Sequence, residues 1–151
     1  MHRPISEVLR TGGVVIYTSP EATVHEAVRR MAFHNVGAIL VMANNRELVG
    51  IFTERDAMRR VMLEGLDPKS TPIRDVMTPD VIVVPSDTPR MEVHRIMRQK
   101  HIRHIPVADK DRLLGVVSLR DVLWVENLEK DFEIDTLRSY IMERPYPTYP
   151  A

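Results

Sequence analysis

Apolar residues fall along this chain in short continuous runs and in helical stripes, and the series of runs and stripes occurs twice. Val14-Val15-Ile16-Tyr17 and Val81-Ile82-Val83-Val84 read as short buried strands. Val24, Ala27, Val28, Met31 and Ala32 keep the i, i+3, i+4, i+7, i+8 spacing of one buried helix face. The matching helix of the second series opens at Thr88-Pro89, a capping residue followed by proline in the first helical position. Paired strands follow at Ala38–Met42 and 48–52, and again at 105–108 and 113–117. Their turns, Asn44-Asn45-Arg46 and Asp109-Lys110-Asp111, have the Asn and Asp content of hairpins. A second helix closes each series, at 54–64 with Gly65 as its C-cap and at 119–130.

The two series are an internal repeat. A shift of 66 positions sets Ala27-Val28-Arg29-Arg30-Met31 over Val93-His94-Arg95-Ile96-Met97, and Val36-Gly37-Ala38-Ile39-Leu40-Val41 over Ile102-Arg103-His104-Ile105-Pro106-Val107. With one residue fewer, Gly50-Ile51-Phe52-Thr53-Glu54-Arg55-Asp56 falls on Gly115-Val116-Val117-Ser118-Leu119-Arg120-Asp121. Upstream, Ile5-Ser6-Glu7-Val8-Leu9 resembles Ile73-Arg74-Asp75-Val76-Met77. The expected organisation is a first repeat at 5–65, a polar linker at 66–72, a second repeat at 73–130 and an extension at 131–151. A unit of roughly 60 residues is marginal alone. The fold class is therefore α/β (α+β), two pseudo-symmetric β-α-β-β-α repeats packed through their sheets around one shared core.

Composition narrows the chemistry. The 151 residues include 21 basic and 21 acidic side chains and no cysteine. Disulfides, zinc–thiolate fingers, iron–sulfur clusters and thiol nucleophiles are excluded. Balanced charge argues against general nucleic-acid binding and a polybasic membrane anchor. No apolar run approaches the ~20 residues that span a bilayer, and Met1-His2-Arg3-Pro4 lacks a signal peptide's apolar core. A cytoplasmic protein without a membrane anchor is expected.

One motif is repeated with the fold. Thr53-Glu54-Arg55-Asp56 and Ser118-Leu119-Arg120-Asp121 stand where the last strand of each copy enters its last helix. Ser or Thr with an acid three residues on approximates a capping box, which is a purely structural role. The same junction offers free backbone N–H groups to an anion, a carboxylate for ribose hydroxyls and an Arg for a phosphate.

These residues, with Val76-Met77-Thr78-Pro79 and His101-Ile102-Arg103-His104-Ile105-Pro106-Val107, resemble the tandem cystathionine-β-synthase (CBS) domain pair, or Bateman module, over residues 5–130. The resemblance implies a module that binds AMP, ADP or ATP, or else S-adenosylmethionine or NAD, between the copies. Carried over by position, one pocket uses Thr53, Arg55 and Asp56 with Val81, Ile102, Arg103 and His104. The other uses Ser118, Arg120 and Asp121 with Val15, Val36, Gly37 and Ala38. The Asp56 pocket, with Lys100 and His101 nearby, is expected to take a polyphosphate more tightly than the uncharged Gly37-Ala38 wall. The resemblance also implies a two-fold, disc-like homodimer and a protein partner that reads the bound state.

Other signals add less. His101-x-x-His104 has no third ligand of suitable spacing, so no metal site is expected. Arg90, Arg95, Arg98, Lys100 and Arg103, with only Glu92 against them, read as a solvated helix face or a phosphate-steering surface. Met58, Met62, Met77, Met91 and Met97 suit a core or a dimer face. No phosphate-loop glycine pattern or G-x-S-x-G occurs, so no catalytic residue is expected. Phe132, Ile134, Leu137, Tyr140 and Ile141 continue a partly helical pattern, which Pro145-Tyr146-Pro147-Thr148-Tyr149-Pro150 ends. The competing readings are a structural or oligomerising module whose T/S-x-x-D motifs are only caps, and an enzyme acting on nucleotides.

Overall fold

The repeat is visible in the backbone at single-residue detail. A computed structural model describes residues 3–9, 15–44 and 46–143. After a short helix α1 (Ser6–Leu9), the first repeat runs β1 (Tyr17–Thr18), α2 (Val24–His34), β2 (Ala38–Met42), β3 (Leu48–Thr53) and α3 (Glu54–Asp56). The second opens on a 3-10 turn (Ile73–Asp75) and runs α4 (Arg90–Lys100), β4 (His104–Asp109), β5 (Arg112–Ser118) and α5 (Leu119–Glu143). Helices α2 and α4 end alike, on Asn35 at φ 53° and His101 at φ 54°, both left-handed. In each, the next N–H reaches back five residues, from Val36 to Met31 O and from Ile102 to Met97 O, both at 3.0 Å. These bonds satisfy carbonyls that a helix end otherwise leaves open.

Strand β2 lies between β1, parallel with Tyr17 opposite Leu40, and β3, antiparallel with Ile39 opposite Phe52. Strands β4 and β5 pair antiparallel with Ile105 opposite Val117. Both hairpins are irregular at matching places, Val41/Met42 and Val107/Ala108. The strand expected at 81–84 is a correction: it reduces to one parallel bridge, Val84 to Val107. Proline at 79 and 85 removes ladder donors on both sides, and Asp80 turns the chain at φ 52°. In the first repeat the strand is Tyr17–Thr18, with Val14 outside the described residues.

The expected single core is two cores, and each is completed by the other repeat's opening segment. Ile73 and Val76 are buried among Ile16, Val24, Ile39, Val41 and Phe52 of the first repeat. Ile5 and Val8 are buried among Val93, Met97, Ile105, Val107 and Val117 of the second. Two glycines make room for this exchange. A Cβ on Gly50 would overlap the Met77 side chain, and one on Gly115 would sit 2.7 Å from Leu9 Cδ2. The sequence boundary at 66–72 is therefore not a boundary in space. That linker is ordered: Thr71 O and Pro68 O accept from Val24 and His25 N–H, both at 2.9 Å, so it caps α2.

Four local expectations change. Val28 and Ala32 of α2 are exposed, so its buried stripe is narrower, at Val24, Ala27 and Met31. Helix α4 starts one residue late, with Pro89 in the cap position and no side-chain cap bond. The helix at 54–64 is a single α turn that widens into a π-helix, Ala57–Met62, before Gly65 at φ 66°. Helix α5 does not stop near 130 but continues unbroken to Glu143. The segment 145–150 lies outside the described residues.

Candidate functional site

Each T/S-x-x-D motif closes a capping box. Thr53 N–H donates to Asp56 Oδ2 at 3.0 Å, and Asp56 N–H donates to Thr53 Oγ1 at 3.3 Å. Ser118 N–H donates to Asp121 Oδ2 at 3.1 Å, and Asp121 N–H to Ser118 Oγ at 3.1 Å. The structural role is thus filled in both copies. One further bond ties each junction to the residue before its hairpin's first strand: Glu54 N–H to Gly37 O at 3.0 Å ahead of β2, and Leu119 N–H to Arg103 O at 2.8 Å ahead of β4.

The Asp56 junction also holds a contact the sequence did not suggest. Thr78 pairs with Ile51 in an antiparallel bridge, and its hydroxyl donates to Asp56 Oδ1 at 3.3 Å. Arg60 Nε lies 3.7 Å from the same oxygen and its Nη1 donates to Met77 O at 2.7 Å. The Met-Thr-Pro stretch of the second repeat therefore completes the first repeat's site. The exchanged opening segments place it there.

Beside this junction lies a cleft of about 570 Å³, walled by both repeats. Thr53, Arg55 and Asp56 line it from one side and Ile102, Arg103 and His104 from the other. Val81 is not among its lining residues, and Gly37, expected in the second pocket, is. A Cβ on Gly37 would lie 3.3 Å from the Glu54 carboxylate and 3.4 Å from His104 Cε1, so a side chain there would crowd this wall of the cleft. The sequence reading missed Ile51, Glu54, Arg59 and Thr78 as lining residues. Arg59 was findable, since it lies one helical turn past Arg55. Ser118, Arg120, Asp121, Val15, Val36 and Ala38 do not line this cleft.

Charge in the cleft is lopsided. Arg55, Arg59, Lys100 and Arg103 face Glu54 and Asp56, and Asp56 is already engaged by Thr53, Thr78 and Arg60. Arg55 Nη1 donates across the cleft to His101 O at 3.1 Å, a direct link between the repeats. Burial holds the His104 imidazole below its ordinary pKa; Glu54 and Asp121 pull it up and Arg103 pushes it down. A half-enclosed cationic cavity with apolar patches at Ile51 and Ile102 suits a small organic anion.

Residues 5–63 and 73–126 each match the CBS domain. This chain belongs to the CBS-domain family. The CBS pair is 34% identical over 146 residues to the mitochondrial CBS domain-containing protein CBSX3 of Arabidopsis thaliana, covering 91% of this chain and 71% of that one. It is 34% identical over 119 residues to arabinose 5-phosphate isomerase KdsD of Yersinia pestis, covering 79% of this chain but only 36% of the enzyme. A CBS-domain containing protein from Agrobacterium tumefaciens superposes with a TM-score of 0.77 at 28% identity, covering 82% of this chain and 99% of that one. Matches thus include a CBS protein of similar extent and an enzyme that carries CBS repeats as one part. Among the described residues of this CBS pair, no helix is long and apolar enough to cross a membrane. Nor does any group of three or more His, Cys, Asp or Glu side chains among them stand close enough to hold a metal ion.

Proposed function

We propose that this CBS pair is a regulatory module that binds an adenine nucleotide (AMP, ADP or ATP) in the Asp56 cleft. One observation carries the reading: four permanently charged side chains, Arg55 and Arg59 from one repeat and Lys100 and Arg103 from the other, converge on one cavity. Phosphates held there would bridge the repeats. The ribose hydroxyls are assigned to Asp56 and Thr53, and the base to the apolar surface of Ile51 and Ile102. Because the ligand contacts both repeats, its affinity depends on their relative arrangement, and occupancy shifts that arrangement for a protein partner to read. Asp121, Ser118 and Arg120, with Val15, Val36 and Ala38, form the weaker second position.

Self-association as a two-fold homodimer belongs to the same reading. Met58, Met62, Trp124 and Leu128 are exposed helix residues that a second copy would cover. Thermal unfolding with saturating AMP, ADP, ATP, S-adenosylmethionine and NAD tests the ligand class. At about 100 times the dissociation constant, a nucleotide adds about 2.7 kcal/mol of stability. Stabilisation by S-adenosylmethionine or NAD alone would reassign the ligand. No stabilisation by any of the five would leave a structural module whose T/S-x-x-D motifs are caps.

A further inference from the structure

Helix α5 outruns the body it belongs to. Its first turns are docked: Val122 is fully buried, and Glu129 holds Arg90 Nη2 at 2.7 Å and Arg3 Nη1 at 2.6 Å. From 131 to 138 every residue is exposed, although the helix runs on to Glu143. A stretch of about a dozen helical residues has little stability of its own in water. This one nonetheless carries Ile134, Leu137 and Ile141 at 45%, 60% and 55% exposure.

Their spacing is not that of scattered surface residues. Leu123, Asn127, Lys130, Ile134, Leu137 and Ile141 step by 4, 3, 4, 3 and 4, which is the seam of a heptad repeat. In heptad terms Asn127, Ile134 and Ile141 occupy a, and Leu123, Lys130 and Leu137 occupy d. β-branched Ile at a with Leu at d favours a parallel two-stranded pair, and one Asn at a selects register at some cost in stability. In the projecting half the flanking charges agree, whereas in the docked part Glu126 at g stands against the partner's Asp131 position at e, both acidic. Glu133 is at g and Arg138 at the following e, so in a parallel in-register pair each Glu133 meets the partner's Arg138 position. Lys130 at d is adjacent in the pair to an acidic e position, Asp131.

We infer that the projecting half of α5 pairs with the same segment of a second copy as a short parallel coiled coil, which fixes the two CBS pairs side by side in one orientation. The inference rests on the self-association proposed above and not on the nucleotide reading. The chain contains no cysteine, so single cysteines introduced into the full chain report the geometry directly. In a parallel pair Ile134→Cys places two identical a positions within the ~7 Å Cα separation a disulfide tolerates. Phe132→Cys, at the outward f position, faces away from the seam. Both residues are exposed in the protomer, so neither change unfolds it.

Sedimentation first establishes the mass of the full chain, and mild oxidation with non-reducing electrophoresis then reads the two variants. The expected result is a dimer in which Ile134→Cys crosslinks at least tenfold faster than Phe132→Cys. Glu133→Lys should weaken association at least fivefold, and Glu133→Lys with Arg138→Glu should restore it. A monomer at ~100 µM overturns both the self-association and the coiled coil. A dimer that fails to crosslink through position 134, or crosslinks equally through 132, overturns the coiled coil alone.

Discussion

The exchange of opening segments makes a prediction that the sequence boundaries oppose. Ile73 begins the second repeat in sequence, yet it is fully buried in the first repeat's core with Ile39, Val41 and Phe52. Ile73→Ala removes three buried carbons, worth about 2.4 kcal/mol in transfer alone at ~0.8 kcal/mol per methylene. The cavity left behind raises the cost to about 3–4 kcal/mol, within the range for Ile→Ala. At about 2–4 °C per kcal/mol for a chain of this size, the melting temperature should fall by about 6–16 °C. Ile5→Ala should cost a similar amount in the other core. Hydrogen exchange followed by mass spectrometry separates the two. Ile73→Ala should lower protection first in β2 and β3, and Ile5→Ala first in α4, β4 and β5. If Ile73→Ala instead loosened α4 and β4 while leaving β2 and β3 protected, the exchange would be wrong.

Three further outcomes follow from the same geometry. Gly50→Ala drives a Cβ into the Met77 side chain and should cost about 1–2 kcal/mol by denaturant titration, and clearly less when introduced into a Met77→Ala background. His104 sits below the ordinary histidine value of 6.5 because of burial, so the unfolded chain takes up its proton first as pH falls. Stability should therefore be whole above about pH 6.5 and decline below it, and His104→Gln should flatten that slope in thermal unfolding. Bound phosphates would favour protonated His104, so ATP should bind more tightly at pH 6 than at pH 8, and His104→Gln should reduce the difference in calorimetry.

Much of this fold is legible in the sequence because the repeat doubles each weak signal. Strands β2 and β5 and the T/S-x-x-D junctions stand within a residue of where periodicity and capping chemistry place them, while the helix expected to cap at Gly65 caps at Leu63, with Gly65 turning the chain two residues on. What periodicity could not show is which repeat an apolar segment packs against. Ile5-Val8 and Ile73-Val76 have the right spacing for a buried turn, but spacing carries no partner. That omission hid Thr78 from the site, since its contact with Asp56 exists only through the exchange. Arg90 was missed in the opposite sense. It reads as one of a row of solvated cations, but it is 8% exposed and bonded to Glu129, a pairing across 39 residues. The long α5 reads as two pieces because Glu126-Asn127-Leu128-Glu129-Lys130-Asp131 interrupts its apolar pattern, with one apolar residue in six.

Calorimetric titration of AMP, ADP and ATP into the unmodified chain and into Asp56→Asn and Asp121→Asn separates a nucleotide-binding cleft from a pair of helix caps. Asparagine keeps an acceptor for the Thr53 or Ser118 N–H, so the caps survive. At least one of the three nucleotides should bind, Asp56→Asn should weaken that binding about tenfold or more, and Asp121→Asn should weaken it less. Absence of binding by all three, or a larger loss from Asp121→Asn, would contradict a nucleotide site at Asp56.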